Sequence, residues 1–537
     1  MSPTNLVGAA AEHVNVVESH GGTLQSHAKK AYNWNFGWRL PVFRFLQQLF
    51  CINPFKGDVA VSRVWITRPG TRGKTLPFPT RRNYHEPLEI LSTFFAKADT
   101  AQGRARNNRY LEVPGFDPIL VTRDPQVIRA VLTATGAGEG RLDRDTMPST
   151  GIARATGPDT LLFSNGPEWQ IHRKASAKAF GKTSLFTDAV FENFEQTFRN
   201  NVEQRLDELK QHFESSGTTE VEIALEPEIK CIMMEMLLFN FFGAKIDPAE
   251  VREKYIPAID TVIEHIVRDT INEQFDIVRF RKKDKSQHDA ELKEAFALFE
   301  RLTDLSIAPR SEGTCAWARV DTKWADEDLR SNVKVFLAGA LEATTSYAAW
   351  AISHLARHAE CQSKVFQEVR SVDSFKTDAI DQAVCLKNVL RETLRLTPSL
   401  YFLPRKAVTD TWISLADGSR MLLPAGTHVL LDVWHSNRIQ EFWGEAMTGY
   451  NAEEFHPQRW EAIDKSGCSK DHLHFGFGHG ARVCPGKHLG ELEASLVVGG
   501  IVKLFEFEAI TEHNDPKAGV STKPKDGTLV RLRLRQS

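Results

Sequence analysis

Cys484 lies in the run Phe477-Gly478-His479-Gly480-Ala481-Arg482-Val483-Cys484-Pro485-Gly486, where small residues and one cation surround a single thiol. Glycines at 478, 480 and 486 permit close backbone approach, so peptide N–H groups can be aimed at the sulfur. The residues after Pro485 have helical periodicity, and a helix N-terminus at that point would stabilise an anionic sulfur. Arg482 can offer a charge-assisted hydrogen bond to a carboxylate beside the loop. Together these features suit a thiolate that ligates haem iron axially, pushing electron density toward the opposite coordination site and favouring O–O cleavage. The alternative, a structural cysteine in a glycine-rich turn, requires several spaced positions to coincide.

The run fills every fixed position of the pattern Phe-Gly-x-Gly-x-Arg-x-Cys-x-Gly and resembles the ligand loop of the cytochrome P450 family. The resemblance implies haem b, with Cys484 as the metal ligand and Phe477, Gly478, Gly480, Arg482 and Gly486 around it. A second match is Glu392-Thr393-Leu394-Arg395, inside a helical run from Cys385 that Pro398 closes. Glu392 and Arg395 share a face at i, i+3, which taken alone is the spacing of a surface ion pair worth little. Followed by Phe455-His456-Pro457-Gln458-Arg459-Trp460, it is similar to the family's Glu-x-x-Arg pair with its later arginine partner. The role implied for Glu392, Arg395 and Arg459 is a structural lock behind the haem, serving folding and cofactor retention. A third match is Trp169-Gln170-Ile171-His172-Arg173, whose first and last residues share a helical face. In the family this spacing supplies two haem-propionate contacts; on its own it also describes core packing beside a solvated cation. Arg405, after Leu403-Pro404, is a third candidate propionate ligand, or else an exposed strand arginine.

The helix expected from about Asp326 to His358 carries Phe336-Leu337-Ala338-Gly339-Ala340-Leu341-Glu342-Ala343-Thr344-Thr345-Ser346. It resembles the family's distal-helix pattern Ala/Gly-Gly-x-Asp/Glu-Thr-Thr/Ser, in which an acid and then an alcohol supply protons for oxygen cleavage. Two alignments compete. With Glu342 as anchor, Gly339 and Ala340 take the small positions, Ala343 replaces the alcohol, and Thr344 falls one step beyond. With Thr344 and Thr345 as anchor, the alcohol is kept, but Ala343 replaces the acid and Leu341 fills the groove glycine. The first is preferred, because leucine in the groove would crowd oxygen and haem. Proton delivery must then use Thr344, ordered water or a hydroxyl of the substrate. Glu342, Thr344 and Thr345 are the candidate catalytic residues. Bonding back to helix carbonyls, common for mid-helix threonine, is the alternative for the two threonines.

Substrate would lie between this helix, the loop of residues 135–163 and the strand after the Glu392 helix. Gly339, Ala340, Ala343, Leu400, Tyr401, Phe402 and Leu403 form the expected pocket wall, apolar with one hydroxyl at Tyr401. The last four also read as ordinary strand residues.

These motifs need a scaffold, and the pattern is mainly α with small β-sheets. Arg109–Pro114 and Pro118–Thr122 read as a strand pair, followed by a helix over 126–132 with Asp124 as N-cap and Pro125 as first residue. Trp412–Leu415, Asp417-Gly418 and Met421–Leu430 read as a hairpin. The P450-like fold so implied would hold haem between the distal helix and the cysteine loop. No linker divides the chain after residue 110, so residues 85–537 are expected to form one haem domain. Residues 1–84 are expected as an N-terminal extension, partly disordered or a membrane-surface helix.

Seven irregularly spaced cysteines argue against a disulfide framework and for a reducing compartment. A net charge of -2 argues against a dedicated nucleic-acid binder. Near the N-terminus no run approaches the roughly 20 apolar residues needed to span a bilayer. Trp38–Ile52 is interrupted by Arg39, Pro41 and Arg44; it either packs on the body as a helix or lies on a membrane surface, aided by the basic stretch Arg63–Arg82. Early Glu12 and Glu18, with no arginine before residue 39, disfavour a cleaved transit peptide. The expectation is a monomeric, cytoplasmic protein, not secreted, with at most peripheral membrane contact.

The expected activity is a monooxygenase that inserts one oxygen atom of dioxygen into a small, mainly apolar organic substrate of biosynthetic, secondary or lipid-like metabolism. No flavin, dinucleotide or iron–sulfur signature is visible. Electrons are therefore expected from NADPH through a separate reductase, or from a ferredoxin-type donor, docking near Lys174, Lys178 and Lys182. These lysines read equally well as a solvated helix face. Alternatives are a haem-thiolate peroxygenase, isomerase or dehydratase, and a haem-binding sensor without turnover.

Overall fold

The computed structural model describes the chain from Leu46 to Arg535, apart from a few single residues and all or most of residues 68–86, 96–105, 113–116, 137–140, 146–154, 182–218, 265–284, 310–323, 373–381 and 468–473. Most of Trp38–Ile52, much of Arg63–Arg82 and Lys182 lie outside the described residues.

Helices dominate, and one organises the rest. Asp326–Arg357 opens on three acids, Asp326, Glu327 and Asp328, and ends with His354 and Arg357 in its last turn, so both ends complement the helix dipole. Between them, residues on every side of the helix are buried, which marks a central core helix rather than a surface one. Among the described residues it is also the one helix long and apolar enough to cross a bilayer, but 72% of its apolar window is buried inside the protein. Against it pack Glu226–Met236, Val384–Leu396 and Lys487–Leu504.

A seven-stranded sheet flanks this helical core. Side by side its strands are Thr75–Pro77, Ser62–Thr67, Asn108–Leu111, Ile119–Thr122, His428–Asp432, Phe402–Ala407 and Leu142–Arg144. Asn108–Leu111 and Ile119–Thr122 pair antiparallel, and the helix Pro125–Ala134 follows with Asp124 accepting hydrogen bonds from the N–H groups of Gln126 and Val127. The hairpin expected from Trp412 to Leu430 is shorter. Thr411–Ser414 pairs with Arg420–Leu423, but the chain then leaves, and His428–Asp432 joins the larger sheet between Ile119–Thr122 and Phe402–Ala407. Pro424 has no N–H to extend the ladder, and Gly426 turns the chain at φ +85° where a Cβ would strike the Asp117 carboxylate.

Behind the helical core, Glu392 and Arg395 form a bidentate pair with no solvent exposure, Arg395 Nε and Nη2 donating to the two carboxylate oxygens at 2.9 and 2.7 Å. Arg395 also donates to the carbonyls of Asn437, Ala452 and Glu454, while Arg459 Nε reaches Glu392 at 3.3 Å. His456 N–H and Trp460 Nε1 complete the carboxylate, each at 3.0 Å. Trp460 is a member that spacing did not single out. Burial pushes the Glu392 carboxyl up, but Arg395 and Arg459 outweigh it and hold it below its ordinary value. The lock reaches the thiol loop through Asn437, whose Nδ2 donates to the His474 carbonyl at 2.9 Å.

At the other end, Thr522 of the terminal hairpin Pro516–Ala518 and Thr522–Pro524 staples three segments together. Its N–H donates to Ser399 O and its hydroxyl to Pro398 O, both at 2.9 Å, while its carbonyl accepts from Ser346 on the core helix.

Glu493, on the helix after the thiol loop, is 1% exposed, and its Oε1 has no hydrogen-bond partner. Burial pushes this carboxyl up to about 8. The folded protein therefore keeps a proton that the unfolded chain releases above about pH 4.3, and stability falls as pH rises from there toward 8. Glu493→Gln should match the parent in unfolding measurements near pH 4 and exceed it by about a few kcal/mol at pH 8. Arg395→Ala, which strands a buried carboxylate, should cost about 3–5 kcal/mol and leave little haem-loaded soluble protein, measured by Soret absorbance per polypeptide.

Candidate active site

The thiol loop is held by its own backbone. Gly478 N–H donates to Phe475 O at 2.8 Å, Cys484 N–H to Phe477 O at 2.9 Å and Val483 N–H to Gly480 O at 3.1 Å. Gly480 sits at φ +70°, and a Cβ there would lie 2.4 Å from the Leu132 carbonyl, so the loop closes on the helix Pro125–Ala134 only with glycine. Gly478 also has positive φ, at +74°. Phe477 packs on Tyr347 of the core helix, at 6.1 Å between rings, and on Gly490. Cys484 is enclosed by protein yet its surface remains accessible, which places the sulfur on the wall of an interior hollow. Burial raises the thiol above its ordinary value; the Gly486 N–H and the charges of Arg173 and Arg144 act the other way. Lys487–Leu504 begins directly after, so its N-terminus stands beside the sulfur.

Four arginines gather beside the same hollow. Arg482 donates from Nη2 to Ser164 O at 2.8 Å and to Asn165 Oδ1 at 2.7 Å, and its guanidinium lies 4.2 Å from the centre of the Trp169 ring. Trp169 is thus the platform under Arg482. Arg173, one helical turn on, feels the charge of Cys484. Arg405 is 2% exposed, with Nε donating to Thr135 Oγ1 at 3.1 Å and Nη1 to Pro404 O at 2.7 Å. Arg144 stands opposite Arg405 in the sheet register. It was not singled out from the sequence, because its short strand lies inside the 135–163 loop and only pairing with a strand far along the chain brings it here.

Burial pulls all four guanidiniums down: Arg144 to about 10, Arg482 to about 9 with Arg144 adding repulsion, Arg405 well below its ordinary value for the same reasons, and Arg173 less. Arg482 Nε and Nη1 and Arg144 Nε are buried with no hydrogen-bond partner. Buried donors of this kind call for an acceptor. A group bringing two carboxylates fits them, and haem, whose propionates would meet these arginines while Cys484 meets the iron, is such a group.

On the core helix, Ala340 and Ala343 are half-buried. Gly339 is exposed midway along an otherwise buried helix, and a Cβ there would meet nothing within 4 Å. Phe336 lies edge-on to Phe180 at 5.0 Å, and Phe180 in turn borders Gly486. The three candidate proton-relay residues are placed differently from one another. Glu342 turns to the terminal hairpin, where Lys523 Nζ donates to Oε1 at 2.8 Å and Ser521 Oγ to Oε2 at 3.0 Å, with Lys230 Nζ 4.0 Å away. Burial lowers Lys523, but Glu342 and then Glu226 raise it further, so the pair is an ion pair. Thr344 spends its hydroxyl proton on Ala340 O at 2.8 Å. Thr345 is fully buried and its hydroxyl has no partner. As in the preferred alignment, no alcohol stands directly after Glu342, and lysine and serine side chains of the terminal hairpin satisfy its carboxylate.

Of the expected pocket wall, Leu400 is 37% exposed, Phe402 is half-buried, and Leu403 and Tyr401 are buried. The Tyr401 hydroxyl is committed to Gly519 O at 3.1 Å, so the one polar group expected there is already engaged. Ser399 Oγ donates to Ala343 O at 3.0 Å and ties this wall to the core helix.

Comparison with known proteins finds a cytochrome P450 monooxygenase, FSL4, of Gibberella zeae (strain ATCC MYA-4620 / CBS 123657 / FGSC 9075 / NRRL 31084 / PH-1), 29% identical over 44% of each chain. Cytochrome P450 734A5 of Oryza sativa subsp. japonica is 25% identical over 78% of each chain. An 11-oxo-beta-amyrin 30-oxidase of Medicago truncatula is 23% identical over 83% of this chain and 84% of its own. The matched part thus spans less than half of the first relative and more than three quarters of the other two. With residues 107–530 matching the cytochrome P450 family model, the enclosed thiol and the arginines around it belong to a member of the cytochrome P450 family, the haem-thiolate oxidoreductases.

Proposed function

We propose that this protein is a monooxygenase acting on a small, mainly apolar organic substrate. The observation that carries the reading is the enclosed Cys484 thiol beside the buried, unpartnered donors Arg144 Nε and Arg482 Nε and Nη1. Haem held there would supply the chemistry of dioxygen activation, by which one oxygen atom enters a C–H or C=C bond. Cys484 would hold the iron as thiolate, steadied by the Gly486 N–H and the helix N-terminus. Arg144, Arg173, Arg405 and Arg482 would hold the propionates, with Trp169 orienting Arg482. Gly339, Ala340 and Ala343 leave space for substrate, and Leu400, Phe402 and Leu403 give it an apolar wall.

Electrons would come from NADPH through a separate reductase or from a ferredoxin-type donor. Exposed Lys174 and Lys178, on the helix that carries Arg173 inward, support docking on that side. Exposed Leu46, Leu49, Phe50 and Ile52 support contact with a membrane surface from the cytoplasmic side.

Ala343 and the engaged Glu342 favour a second reading, a peroxygenase, isomerase or dehydratase that needs no proton delivery to dioxygen. Purified protein should give the thiolate-type band in its ferrous–carbonyl difference spectrum, and Cys484→Ser should abolish it; a variant retaining the band refutes the ligand assignment. During reductase-driven turnover, Ala343→Thr should lower peroxide released per electron pair by about twofold or more, because it restores a hydroxyl over the hollow. Activity without any reductase, with peroxide unchanged in Ala343→Thr, would move the assignment to the second reading.

A further inference from the structure

On the helix Pro87–Phe94 and at the end of the strand His428–Asp432, Ser92, His435 and Asp432 line up. Asp432 is fully buried at the N-terminus of the short helix Val433–Ser436. Its Oδ1 accepts the His435 N–H at 3.0 Å, and its Oδ2 lies 2.7 Å from His435 Nδ1, so one carboxylate fixes both the backbone and the ring of the histidine. On the ring's other side, Nε2 lies 2.9 Å from Ser92 Oγ, on the helix Pro87–Phe94. Exposure rises along the chain of contacts: Asp432 is buried, the His435 side chain is 19% exposed, and Ser92 is exposed.

The tautomer follows from the carboxylate. At 2.7 Å from Asp432, Nδ1 must carry a proton, so neutral His435 has Nε2 free to accept, and the Ser92 hydroxyl is the donor facing it. Ser92 Oγ also lies 2.9 Å from Leu88 O, which competes for the same proton and would hold it when His435 is charged. Arg123, 4.6 Å over the ring of Phe95, brings a positive charge near Asp432 and the end of the Ser92 helix.

We infer that Ser92, His435 and Asp432 form a serine acyl-transfer site, distinct from the thiol site, that takes small carboxylic esters. The order of roles is that of a nucleophile, its base and the acid that orients the base. Ser92 Oγ bonds to the acyl carbon as its proton passes to His435 Nε2. The acyl C–O bond then breaks, and His435 returns the proton to the departing alcohol. Water, deprotonated by His435 in the same way, releases the carboxylic acid and restores Ser92.

The full-length, haem-loaded protein treated with a fluorescent fluorophosphonate should label on Ser92, located by peptide mass spectrometry. Labelling should fall at least about tenfold in both Ser92→Ala and His435→Gln, and p-nitrophenyl acetate hydrolysis should fall with it, while the ferrous–carbonyl spectrum is kept. Absence of label on Ser92 in the unsubstituted protein, or undiminished labelling and hydrolysis in Ser92→Ala, overturns the assignment. If a variant fails to fold, the peptide map of the unsubstituted protein decides by itself. None of these readouts depends on the monooxygenase assignment.

Discussion

A carboxylate without solvent access survives only if every lone pair is met by a donor, and Glu392 meets that condition with Arg395, Arg459, Trp460 and the His456 N–H. The arginines need acceptors in turn, and take them from carbonyls of residues 437–454. One ion pair therefore fixes the path of an irregular stretch whose own secondary structure is too short to fix it. That stretch is what holds the thiol loop, since Asn437 bonds His474 and Leu394 presses on Gly476. The lock makes no contact with the sulfur, but the loop's position depends on it.

The site resolves the opposite problem. Arginines are crowded where the protein offers too few acceptors, and a dianionic partner among them would offset their repulsion and desolvation. With such a partner bound, the repulsion between Arg144, Arg405 and Arg482 would favour the loaded protein over the empty one, so the same charges would set cofactor affinity and apoprotein stability. The core helix, for its part, places Glu342 in an ion pair with the terminal hairpin.

Features encoded locally were legible in the sequence. The cysteine loop, the Glu392 and Arg395 spacing, the Asp124 cap and the limits of the core helix all depend on residues a few positions apart, so periodicity and spacing carry them. What escaped depends on distant pairing. Arg144 enters the site because its strand meets Arg405; Glu342 is engaged because Lys523 and Ser521 return from the terminal hairpin; Trp460 completes a carboxylate on another helix. The expected hairpin ended early for a similar reason, since His428–Asp432 finds better partners in the larger sheet than in its sequence neighbour. Asp432 lies three residues from His435, but Ser92 reaches the ring only because the fold brings its helix there.

Thr522 joins residues 398 and 399 to the core helix from a position close to the end of the chain. Its bonds reach back 124 residues to Pro398 and 176 to Ser346. Contacts of such separation are the slowest kind to form, so the hairpin closes late on a wall and a helix that the shorter-range bond from Ser399 Oγ to Ala343 O already ties together.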